Sequence, residues 1–240
     1  MLLLAIDAVA KAHWRGDRQL RVLGGVSLEL DAGEFVAVYG PRSSGKTTLL
    51  RLAAGLDRPD AGRVAFAGRD VAELTGRELA RLLREEIGWV ERSGPRGDAL
   101  PVADYVALPL LGRERRTGAR RAAMAALERL GVGGCADERW AGLSDAERTL
   151  VALAHALVRR PRLLVVDDPT GGLDVADREH ILGLLRELAA DEGAGVLMAV
   201  PEIPSTLRAH RVLSLSGGRL IGPPAPSATV VDFARAQRRG

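Results

Sequence analysis

Eight consecutive residues, Gly40-Pro41-Arg42-Ser43-Ser44-Gly45-Lys46-Thr47, constrain this chain more than any other feature. Two glycines flank four residues, the spacing at which backbone N–H groups can turn inward around phosphate oxygens. Lys46 then supplies a point charge for the terminal phosphates, and Thr47, with Thr48 behind it, a hydroxyl for Mg²⁺. The flanks agree. Phe35-Val36-Ala37-Val38-Tyr39 reads as a buried strand, and residues 47–54 read as a helix. Strand, loop and helix form the setting such a loop requires, and a chance match in a Gly-rich chain would not supply it. Lysine usage sharpens the point: of 34 Lys and Arg residues only Lys11 and Lys46 are lysines. A compact ammonium is kept at the loop, where a planar guanidinium would substitute poorly.

The rest of the chain alternates strands with helices. Residues 1–35 read as short strands and turns, with Val26-Ser27-Leu28-Glu29-Leu30 at period two and a turn at Asp31-Ala32-Gly33-Glu34. A short strand is predicted at residues 63–68, a charged helix at 73–86 and a core strand at Ile87-Gly88-Trp89-Val90. From 92 to 160 helical patterns dominate, broken at Gly94-Pro95, at Gly131 to Gly134 and at Gly142, which predicts an inserted helical lobe. Leu163-Leu164-Val165-Val166 and residues 195–200 are continuous apolar runs of the kind buried in a parallel sheet, and Ile181, Leu184, Leu185 and Leu188 mark a helix between them. The fold class is therefore α/β with a mostly parallel sheet. The compact part is predicted to span 1–222, followed by a Pro-rich basic tail over 223–240. A single cysteine, Cys135, excludes an internal disulfide and a Cys-based metal cluster. No run of about 18 apolar residues exists, and Met1 to Ile6 is too short for a leader peptide, so the chain is expected to be intracellular.

The run at 163–166 ends in Asp167-Asp168-Pro169-Thr170. An acidic residue at the tip of a strand beside a phosphate loop completes a P-loop Mg²⁺ site, with Asp167 on the metal and Asp168 near the terminal phosphate. Taken together, residues 40–48, Leu143-Ser144 before a helix, residues 160–170 and Gly172-Leu173-Asp174 resemble the ATP-binding domain of ABC transporters over roughly 1–222. Gly55 to Gly62, residues 106–111 and Pro169 to Asp174 are similar to the branch serving lipoprotein release and macrolide export. The resemblance implies a P-loop NTPase with a RecA-like core, an antiparallel β subdomain and an inserted helical subdomain. It implies ATP and Mg²⁺ as cofactors, held by residues 40–48 and Asp167. It also implies a second ATP-binding subunit, identical or not, paired head to tail around two nucleotides, integral-membrane transporter subunits docked on the helical lobe, and a place on the inner face of the cell membrane.

Five departures from that family's pattern stand beside the matches. The Leu-Ser-Gly-Gly signature is Leu143-Ser144-Asp145-Ala146 here, so Ser144 survives as a donor while Asp145 brings a carboxylate toward a polyanion. Arg92, preceded by Glu91, stands where the family has a metal- and water-binding Gln; arginine cannot ligate a cation, though it can bind phosphate. Asp168 replaces the Glu that polarises water, with the same charge on a shorter arm. Pro201 replaces the switch His. His13, with Trp14 beside it, replaces the aromatic that stacks on adenine, and either ring could stack. The resemblance therefore implies ATP binding with impaired hydrolysis, Asp168 being the residue left to act on water. The alternative is a non-catalytic, nucleotide-gated structural module of a membrane assembly. A P-loop protein with no membrane partner, acting on nucleic acid or translation, is the weaker reading, because such proteins usually carry two of these domains in one chain. The basic run Arg113, Arg115, Arg116, Arg120 and Arg121 carries no interleaved aromatics and reads as a solvated face; no nucleic-acid partner is expected.

Overall fold

The computed structural model describes residues 1–91 and 100–222. Among the described residues ten strands fall into two sheets. The first is antiparallel, in the order β2 (Arg18–Asp31), β1 (Leu2–Arg15), β4 (Ala61–Phe66), β5 (Arg69–Asp70). The second has six strands in the order β10 (Arg219–Ile221), β9 (Arg211–Ser216), β3 (Phe35–Tyr39), β8 (Gly195–Val200), β7 (Leu163–Asp167), β6 (Ile87–Glu91). All pairings in it are parallel except β9 with β10. This mixed sheet with helical insertions is the P-loop NTPase architecture expected from the sequence.

Strand alternation decides what each face of the parallel sheet covers. Val36, Val38, Val165, Leu197 and Ala199 pack toward α1 (Lys46–Ala53) and the antiparallel sheet, in one core with Leu49, Leu50 and Leu52. Phe35, Ala37, Val166, Val196, Met198 and Val200 pack the other way, against α5 (Asp145–Leu157) and α6 (Val175–Glu192). Both faces are dry, which is why these strands read as unbroken apolar runs. Three of the helices start on side-chain caps. Thr75 and Glu78 form a reciprocal capping box on α2 (Gly76–Glu85), Ser144 and Glu147 do so on α5, and Asp174 accepts from the Asp177 N–H at 2.8 Å on α6. Residues 100–160 hold α3 (Val102–Ala107), α4 (Arg116–Arg129) and α5, packed through Ala103, Val106, Ala119, Ala123, Leu127 and Leu153.

One expectation changes. Residues 1–35 hold two 14-residue strands, β1 and β2, rather than several short ones. The pairing shifts register between Val9 and Ala10, opposite Val26 and Gly24, and the chain reverses at Gly16-Asp17; the expected turn at 31–34 is present, with the Glu34 N–H on the Asp31 carbonyl at 3.1 Å. The basic run lies at the surface as expected, where Arg113 pairs with Glu85, Arg116 with Asp104, and Arg120 with both Asp104 and Asp137. Arg92, the break at Gly94-Pro95 and the tail over 223–240 lie outside the described residues. Among the described residues no helix is long and apolar enough to cross a membrane.

Candidate functional site

The phosphate loop leaves the sheet at the end of β3 and enters α1. Its two glycines are required by what surrounds them. A Cβ on Gly40 would lie 2.2 Å from the Leu215 carbonyl oxygen of β9. Gly45 caps α1 at φ 102° and ψ 7°, a conformation L-residues rarely adopt, and a Cβ there would meet Leu23 and the Val22 carbonyl at 3.0 Å. The loop is thus braced by β9 on one side and by β2 on the other. The Gly40 N–H donates to the Val200 carbonyl at 3.3 Å, tying the loop to the end of β8. Pro41, Arg42 and Ser43 form the exposed rim, Ser43 at φ 63°. Lys46 folds back across the loop, its Nζ donating to the carbonyls of Gly40 at 2.7 Å and Pro41 at 2.9 Å. The Ser44 hydroxyl is buried without a hydrogen-bond partner. An orphaned hydroxyl, a cradle that a methyl group would fill and a lysine with donors to spare fit a polyphosphate.

Asp167 arrives from β7 at the same place. The Thr47 hydroxyl donates to its Oδ2 at 2.7 Å, joining residues 120 apart in sequence. Glu91 stands opposite Asp167 in the β6–β7 register. Burial pushes the Asp167 carboxyl upward, with Asp168 and Glu91 adding repulsion against the Thr47 hydrogen bond and Lys46. Burial likewise pushes the Lys46 ammonium down, against the attraction of Asp167 and Asp168. Each group is short of counter-charge in its native surroundings, and Mg²⁺ with a polyanion supplies both signs. Thr47 and Asp167 are the residues that would hold the metal, which supplies charge neutralisation of the phosphates when bound.

Asp168 turns off β7 at φ 49°, with its N–H on the Ala199 carbonyl at 2.8 Å. A left-handed turn costs an ordinary side chain about 1–2 kcal/mol, and Asp tolerates it better than most. One of its carboxylate oxygens is buried, and its charge acts on Lys46. Pro201 follows β8 and is exposed.

The segment carrying Ser144 begins α5. Ser144 Oγ accepts from the Glu147 N–H at 3.3 Å, and Glu147 accepts from the Ser144 N–H at 2.8 Å. Asp145 pairs with Arg148 at 3.2 Å. Two carboxylates thus occupy the first turn, where the helix would otherwise offer free N–H groups to an anion. Thr149, one turn in, donates to the carbonyls of Asp145 (3.1 Å) and Pro169 (3.3 Å), linking α5 to the turn after Asp168. That link was not visible in the sequence, because nothing in a lone helical threonine announces a contact 20 residues away.

The candidate base-binding residues separate. His13 Nε2 lies 3.4 Å from Thr48 Oγ1, above the start of α1. Trp14 projects from the opposite face of β1 and is 70 % exposed. The geometry brings His13, residues 40–48, Asp167 and Asp168 together. Ser144 is instead engaged with Glu147 at the start of α5, and Trp14 lies on the other face of β1. His155 packs in the helical lobe, stacked on Tyr105 at 4.4 Å with its Nδ1 3.0 Å from the Tyr105 carbonyl.

A P-loop closed by an acidic strand end on a parallel sheet defines the class: a P-loop NTPase. The sequence profile of ABC transporters matches residues 23–171, and the chain belongs to that family. It is 36 % identical over 221 residues to the "Lipoprotein-releasing system ATP-binding protein LolD" of Cereibacter sphaeroides, covering 91 % of this chain and 99 % of that one. It is 37 % identical over 240 residues to the "Macrolide export ATP-binding/permease protein MacB" of Rhodopirellula baltica, covering 97 % of this chain. The chain spans only 34 % of the length of that relative. Among solved structures, the dimeric ATP-binding cassette MJ0796, in a post-hydrolysis state bound to ADP and Pi, is similar at a TM-score of 0.84 and 28 % identity, over 92 % of this chain and 98 % of that one.

Proposed function

We propose that this protein is the ATP-binding subunit of an ABC transporter or related membrane complex. It binds Mg²⁺-ATP through residues 40–48 and Asp167, pairs with a second ATP-binding subunit, and drives or gates an integral-membrane partner from the cytoplasmic face. The observation that carries this reading is the 2.7 Å bond from Thr47 to Asp167 beside a lysine folded over the loop. Hydrolysis is slow. Asp168 is the residue placed to act on water, on an arm one methylene shorter than the family's Glu, and a positioned base is worth roughly 10²–10⁴-fold. The first turn of α5, with Asp145 and Glu147, repels a phosphate brought to it by a partner's loop.

Those carboxylates also favour a second reading, in which ATP is an assembly ligand and is not turned over. One sample separates the two. Lys46-dependent binding without Lys46-dependent turnover favours the assembly ligand; turnover lost in both Lys46→Ala and Asp168→Asn favours the slow enzyme. ATP affinity unchanged by Lys46→Ala would sink both.

A further inference from the structure

Lys11 is the second of the chain's two lysines, and its ammonium is nearly enclosed, the side chain being 13 % exposed. Three acceptors converge on its three N–H donors: the Arg58 carbonyl at 2.6 Å, Asp57 Oδ1 at 3.1 Å and Asp60 Oδ1 at 3.4 Å. Burial alone would lower its pKa, yet the hydrogen bond and charge of Asp57, together with Asp60, raise it, so the ammonium stays charged. The same loop grips the β1 backbone on either side of Lys11. Asp60 Oδ2 accepts from the Ala12 N–H at 2.7 Å, and the Asp60 N–H donates to the Ala10 carbonyl at 2.9 Å.

The loop that holds Lys11 hangs from α1, with the N–H groups of Leu56 and Asp57 both on the Arg51 carbonyl. Two residues beyond Lys11, on the same face of β1, His13 reaches Thr48 in the first turn of that helix. The circuit closes: α1, its following loop, Lys11, His13, and back to α1 beside Lys46 and Thr47. Everything in it is mounted on the helix that carries the phosphate loop.

We infer that Lys11 is a positioning residue that fixes the height of His13 over the phosphate loop, and so sets the base-to-phosphate span of the nucleotide the site accepts. The inference rests on the nucleotide-binding reading above and on His13 meeting the base. The chain uses arginine for nearly every other cation. At this position a tetrahedral ammonium matches three converging acceptors, and a planar fork does not. Its partners lie on the loop after α1, so the anchor moves with the phosphate site and not with the outer edge of the hairpin.

The test compares Mg²⁺-ATP with inorganic Mg²⁺-tripolyphosphate, which lacks a base, by titration calorimetry. Lys11→Met is expected to weaken ATP binding about tenfold, the loss of roughly one ring–base contact, while changing tripolyphosphate by less than about twofold. His13→Ala is expected to do the same, and the double variant to be no weaker than His13→Ala alone, because both act on one contact. Asp60→Asn keeps an acceptor for Ala12 and loses only charge, so it gives the same selective loss in smaller degree if Lys11→Met folds poorly. Equal weakening of ATP and tripolyphosphate by Lys11→Met and Asp60→Asn overturns the proposal, since it marks a general prop for the loop. Weakening by His13→Ala with none from Lys11→Met or Asp60→Asn also overturns it. Indifference of ATP binding to His13→Ala removes the base contact, and with it the proposal, while leaving the phosphate site intact.

Discussion

Adding one methyl group to Gly40 should damage the protein, and adding the same methyl to Gly183 should improve it. At Gly40 the new Cβ would sit 2.2 Å from the Leu215 carbonyl oxygen and 2.9 Å from Ser44 Oγ. The first contact is more than 1 Å inside the ~3.5 Å at which such pairs attract. The obstacle is backbone, so no rotamer change relieves it. Either β3 and β9 separate or the loop shifts by about an ångström. Overpacking of this kind costs about 1–3 kcal/mol. At about 2–4 °C per kcal/mol for a chain of this length, Tm falls by about 2–12 °C. A shift of ~1 Å in the loop can cost about 10²-fold at the phosphates. Gly183 lies inside α6 with nothing within 4 Å of the built Cβ. Alanine there reduces the freedom of the unfolded chain and stabilises by about 0.4–1 kcal/mol, raising Tm by about 1–4 °C. Thermal melts and ATP titrations on the two variants check this. A Gly40→Ala protein that melts and binds ATP like the parent would show that the loop has room for a Cβ at this position.

Thr47→Val should abolish most of the advantage of Mg²⁺-ATP over ATP in excess EDTA, because it removes the hydroxyl joined to Asp167; equal loss with and without Mg²⁺ would contradict this. Thr170 and Ser205 share a buried hydroxyl–hydroxyl bond of 3.0 Å, so Thr170→Val should lower stability by about 1–3 kcal/mol in urea unfolding. Adding Ser205→Ala should return part of that loss, since no hydroxyl is then left unpaired. Burial lowers the pKa of His155 and of His210, with Arg159 and Arg186 respectively adding repulsion, and His210 accepts the Phe35 N–H as a neutral ring at 2.8 Å. The unfolded chain binds these protons more readily, so stability is full above about pH 6.5 and falls as pH drops from there toward the lowered native values. His155→Phe should flatten part of that slope in pH-dependent melts.

The sequence showed most of the parallel sheet, because strands dry on both faces leave unbroken apolar runs, as at 163–166 and 195–200. It divided residues 1–35 into several short strands, where bulges keep two long strands paired. The site was legible wherever its parts are local: loop, acidic strand end and helix start each carry a fixed spacing. What stayed hidden is what β1 contributes. Lys11 announced only its rarity, and nothing in the sequence tied it to Asp57 and Asp60. Trp14 looked as good a stacking ring as His13 until strand alternation put them on opposite faces. Thr149 and Pro169 meet only once α5 is docked.

Lys46, Thr47 and Asp167 stand together at the loop, while Asp145, Ala146, Asp168 and Pro201 depart from the family's pattern. The most direct test is Mg²⁺-ATP affinity and steady-state ATP turnover on one preparation with its co-purifying partners. Tight binding lost in Lys46→Ala is expected, with turnover below the ordinary enzyme range of about 1–10³ s⁻¹ and reduced further in Asp168→Asn. Turnover within that range and unaffected by Asp168→Asn would contradict that expectation.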